Sequence, residues 1–132
     1  MAVREKSLRA NTTPKGAPGW NELGFVPWQS FRRMAPSILM LEISRLADLI
    51  ASADEMEFRN ALVKSRYELQ AFIADLEASS ATADSVEMEH LQAAILNLPV
   101  GYPDVSAEDA ATLAYILDRL EYVHNRIRFV YH

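Results

Sequence analysis

The chain has 132 residues, 50% of them hydrophobic and 23% charged, with a net charge of −5 and no cysteine. That is the length and usage of one globular domain, which excludes wholesale disorder, disulfides, thiolate zinc sites and thiol catalysis. The longest apolar run, Ile38-Leu39-Met40-Leu41, stops at Glu42, far short of the roughly 18–20 residues that cross a bilayer. The N-terminus has no charged-then-apolar secretory pattern, so the expected location is the cytoplasm or the inside of a virion.

Charge divides the chain unevenly. Residues 1–36 hold six bases against two acids, a net +4, and residues 37–132 carry −9. Three of the four glycines and four of the six prolines also fall in the first 36 residues, a composition that breaks helices repeatedly. Residues 1–36 therefore read as an extended basic and aromatic arm, and residues 37–132 as an acidic folded body.

The body reads as helix almost throughout, because its apolar residues recur at three and four. Helix one is expected over 37–52, with Pro36 near its first position. Helix two follows Asp54, with Glu57 at capping-box spacing; its seam is Phe58, Leu62, Leu69, Phe72, Ile73 and Leu76, and it ends in the 78–81 stretch. Helix three is expected after Asp84, presenting Leu91, Ile95 and Leu98 before Pro99 stops it. Gly101 and Pro103 then mark a turn. Helix four starts after Ser106 and carries Leu113, Ile116, Leu117, Leu120, Val123, Ile127 and Val130 to the chain end. The expected fold is all-α: an up-down four-helix bundle of two long and two short helices, with the N-terminal arm extended. Unequal helix lengths would leave apolar surface that something else must cover.

Helix four shows a second stripe. Ala111, Tyr115, Tyr122 and Phe129 repeat at four and seven residues, about 180° from the Leu113–Leu120–Ile127 seam. A helix apolar on two faces is generally buried on both. Asp118, Asn125 and Arg126 interrupt the stripe, which argues against a long dry coiled-coil seam. Two occupants suit it: the arm packing back in cis through Trp20, Phe25, Trp28 and Phe31, or another protein subunit. Nucleic acid is disfavoured, since the acidic body repels phosphate.

Two Glu-x-x-His pairs, Glu87–His90 and Glu121–His124, have the spacing used by carboxylate-bridged di-iron bundles. With Glu42 on helix one they make an incomplete metal constellation, because helix two offers no matching inward acid. Charged helix faces produce such spacings freely. His124 lies on the core face, where a hydrogen-bonded histidine is the ordinary finding, and Glu87 is its expected partner. No catalytic set, Gly-rich phosphate loop or cofactor motif is present.

The sequence thus points to a small helical interaction or structural subunit that joins a protein assembly, as a homo-oligomer or with another protein. The surfaces expected to do so are Trp20, Phe25, Trp28, Phe31, Tyr115, Tyr122 and Phe129. The alternative is a metal-binding bundle with oxidative or storage chemistry on Glu42, Glu87, His90, Glu121 and His124.

Overall fold

A computed structural model describes residues 26–78 and 82–131. Among these residues the protein is all-helical, with no strand. Four α-helices, α1 (Trp28–Ser52), α2 (Met56–Ala78), α3 (Glu89–Asn97) and α4 (Ala107–Phe129), are joined by short connections, with one 3₁₀ turn at Ala83–Ser85. The main packings are α1 on α2, α2 on α3, α3 on α4 and α1 on α4, which closes a ring of four helices around one apolar core.

The first helix departs from expectation. It starts at Trp28, nine residues early, and runs through Pro36 without ending. Residues 28–36 are therefore not extended arm, and there are three long helices and one short one. A proline inside a helix removes a hydrogen bond and costs about 3 kcal/mol or more. Burial offsets this: Phe31, Ala35, Pro36, Leu39, Glu42, Ile43, Leu46 and Leu49 all turn inward, at helical spacing on both sides of the proline. The proline that starts the helix is Pro27, whose carbonyl accepts from the Ser30 and Phe31 amides at 3.0 Å each. This added helix covers the apolar length that unequal helices would have left bare. Residues 1–25, the remainder of the expected arm, lie outside the described residues.

Helix α2 buries the whole of its expected seam, with Ser65 in addition. Its cap is Glu55 and not Asp54: a Glu55 carboxylate oxygen accepts from the Phe58 amide at 3.1 Å. Helix α3 is shorter than expected, at nine residues. Before it, Ala83 and Val86 both enter the core, and the 3₁₀ turn that brings them there takes the residues expected to form its first turn. The connection to α4 turns at Gly101 and Asp104, with φ of +83° and +64°, a region that favours glycine and tolerates Asp.

Candidate interaction face on helix four

Helix α4 is set by its ends. Ser106 accepts from the Asp109 amide at 3.1 Å, Glu108 and Asp109 occupy the first turn, and Arg126 and Arg128 the last. The cap satisfies an orphan N–H, and both charge signs complement the helix dipole. Its inner face buries Leu113, Ile116, Leu120, Val123 and Ile127, as expected, although Leu117 is half-buried and Val130 exposed.

The aromatic stripe borders this buried face and does not stand opposite it, because Arg119 and Arg126 are buried between the two, and the protein's own arginines hold much of it. The Tyr115 ring lies beneath two guanidinium groups, Arg45 from α1 at 4.6 Å and Arg119 at 4.9 Å. Arg119 is buried and donates to Asp118 at 2.6 Å. Arg126, also buried, donates to the Tyr122 hydroxyl at 2.7 Å and to the Tyr131 hydroxyl at 3.1 Å and 3.2 Å. It also lies 5.4 Å from the centre of the Phe31 ring. Tyr131 in turn donates to the Val26 carbonyl at 2.8 Å, so this cluster ties the start of α1 to the end of α4. Phe129 stands outside it, 71% exposed, and among the described residues only the Arg128 guanidinium lies over its ring, at 5.7 Å.

A groove of about 390 Å³ runs along this face, lined by Asp118, Arg119, Glu121, Tyr122, Asn125, Arg126, Phe129 and Val130. Toward the start of the helix, a shallower hollow of about 410 Å³ lies between Arg45, Glu108, Ala111, Thr112 and Tyr115. The Arg45 guanidinium over Tyr115 also pairs with a buried carboxyl. Glu42 is 1% exposed, accepts from Arg45 at 2.8 Å through one oxygen, and has no hydrogen-bond partner for the other. Burial pushes its pKa up to about 7, against the opposing pull of Arg45 and Arg119.

The residues expected to bind a partner are therefore divided. Phe31 is fully buried, and Trp28 is half-buried against Phe31 and Tyr131, with ring centres 6.0 Å and 5.4 Å away. Both belong to the bundle's own packing, because α1 begins early enough to carry them inside. Tyr115 and Tyr122 are half-buried, and Phe129 is open to solvent. Trp20 and Phe25 lie outside the described residues. What sequence reasoning missed is the role of Arg45, Arg119 and Arg126. The signal was present, since an arginine follows each of Tyr115 and Tyr122 by four residues, the spacing that places a cation beside a ring on one helical face.

The five candidate metal ligands do not converge. Among the described residues, no three His, Asp or Glu side chains are placed to hold an ion. Glu42 faces Arg45, and Glu87 is exposed and precedes the first residue of α3, so it does not share a helical face with His90. His90 instead meets Glu68 of α2 at 2.6 Å, with Asp75 at 3.9 Å; the Glu68 hydrogen bond raises its pKa. Glu121 points outward from α4. His124 is half-buried and meets Gln92 at 3.4 Å and Asn125 at 3.3 Å. Its expected bond to Glu87 is absent, because the short α3 offers Gln92 at that level.

A further polar cluster joins the last turn to α2. The Tyr102 hydroxyl donates to Glu55 at 2.7 Å and Glu57 at 3.2 Å, while its ring packs 5.3 Å from Phe58. These bonds hold the Glu55 carboxyl below its ordinary range and raise the Tyr102 phenol. Both are structural ties. No described helix is long and apolar enough to cross a membrane. The chain matches no protein-family model, no curated protein and no solved structure.

Proposed function

We propose that this protein is a small helical subunit that joins a larger protein assembly through the outer face of α4, with residues 1–25 contributing to the same contact. The bundle is read as up-down, each short connection reversing the chain. The observation that carries the role is the groove beside Tyr122 that ends at the open ring of Phe129. Its floor is held in place by the Arg126 bonds to Tyr122 and Tyr131. A large aromatic on a rigid, partly polar face is the kind of anchor from which interfaces draw binding energy. The +4 balance of residues 1–36 against the −9 of the rest would assist encounter more than affinity. The cysteine-free composition suits the cytoplasm or a virion interior.

The test replaces Phe129 with Ser and leaves Tyr122 intact, since Tyr122 is bonded to Arg126. Tagged wild-type and variant chains are recovered from their native source and compared for mass and associated subunits, with helicity checked by circular dichroism. Loss of the assembly at unchanged helicity is expected. An unchanged assembly overturns the role of this face.

A further inference from the structure

Two exposed charges at the groove point to a specific occupant: Glu121 lines it, and Arg128 lies over Phe129, which lines it. Glu121 and Arg128 lie on the same edge of the stripe, seven residues apart, both exposed. Neither forms an ion pair among the described residues; Arg128 only covers Phe129. Two helical turns of about 5.4 Å separate them along the axis, so they present an acid and a base of fixed spacing on one surface.

Resting on the interaction role proposed above, we propose that the occupant of this face is a second copy of the chain, its α4 antiparallel to the first. A two-fold axis level with the midpoint between His124 and Asn125 places Glu121 of each copy opposite Arg128 of the other, because these residues are equidistant from that level. The same operation makes two identical ion pairs, as an isologous contact must. It also brings each Phe129 near the level of Tyr122 in the second copy, inside the groove. Parallel pairing sets each edge of the stripe against the opposite edge of the second copy, where Glu121 and Arg128 do not meet.

Charge also separates this occupant from the protein's own N-terminal segment. Residues 1–25 hold Arg4, Lys6, Arg9 and Lys15 against Glu5 and Glu22. A segment of mostly one sign matches Glu121 and repels Arg128. Only a surface with both signs at the same spacing satisfies both, and the face itself is such a surface.

The test is a charge swap on the full chain, read by sedimentation equilibrium up to millimolar concentration. Glu121→Arg and Arg128→Glu should each weaken self-association by about tenfold or more. The double variant should recover it, and an equimolar mixture of the two single variants should form the mixed dimer. Both positions are exposed, so the fold is expected to survive each change, and circular dichroism checks it. A wild-type chain that stays monomeric overturns the proposal, as does a double variant no better than the singles. If the chain is monomeric yet Phe129→Ser still abolishes a larger assembly, self-pairing falls while the interaction role stands.

Discussion

Helices α2 and α3 bury Leu62, Leu69, Leu91 and Ala94, and the only buried polar side chain described on either is Ser65, which donates to the Ala94 carbonyl at 2.7 Å. Their charged pair, His90 with Glu68, stays at the rim. Helices α1 and α4 instead bury Glu42, Arg119 and Arg126 among Phe31, Tyr115, Tyr122 and Tyr131. One flank is dry and locks the fold; the other spends burial on charge. Buried charge costs free energy unless its partners are fixed, so a face backed by such groups is held in one geometry. The charged flank is also the one that carries the open groove, which fits a surface kept rigid for a contact outside the bundle.

Three substitutions probe this contrast, beginning with the largest effect. Phe31→Ala empties a fully buried ring site and strips the apolar cover from Arg126. It should destabilise the protein by about 3–5 kcal/mol, measured by urea unfolding; a loss below about 1 kcal/mol would place Phe31 outside the core and dissolve the contrast.

Glu42→Gln tests the cost of the buried charge through pH. The folded-state pKa is raised from 4.5 to about 7, so the folded protein holds a proton that the unfolded chain releases between those values. The stability this provides is complete below pH 4.5 and disappears as pH rises through 7. The variant should therefore match wild type near pH 4 and exceed it at pH 8 by about 3 kcal/mol at most. Parallel stability profiles for the two proteins would remove Glu42 as a buried acid.

Ser65→Ala, on the dry flank, should cost only about 1 kcal/mol, the usual worth of one neutral hydrogen bond, with no pH dependence. A pH-dependent change would mean that the two flanks are coupled.

How much of this was legible depended on which rule governed each stretch. Helices α2 and α4 follow from periodicity alone, and their buried apolar residues are ones the spacing selects. At the start of α1 two rules conflicted. Trp28, Phe31, Ala35 and Leu39 keep helical spacing, while Pro36 and the neighbouring basic residues suggest a break. Burial on both sides of the proline outweighs its local cost, and a single sequence gives no measure of that burial. The arginine clamps were hidden for a related reason: Arg126 reads as a polar interruption of a stripe, and Arg119 carries no signal of burial, until α1 supplies Phe31 and Arg45 beside them. His90 was placed by spacing with Glu87, but its partner Glu68 lies 22 residues away on another helix, where no local pattern could announce it.

The bond from Tyr131 to Val26 has a consequence for the order of folding. It joins residues 105 apart in the chain, whereas Ser65 and Ala94 are 29 apart. Closing the larger loop costs about 1 kcal/mol more in chain entropy, before any contact compensates it. The α2–α3 pair is therefore expected to assemble first, and α1 to meet α4 after the rate-limiting barrier. Phe31→Ala should then hasten unfolding while leaving the refolding rate nearly unchanged. The flank that bears the groove would be the last part of the molecule to close and the first to open.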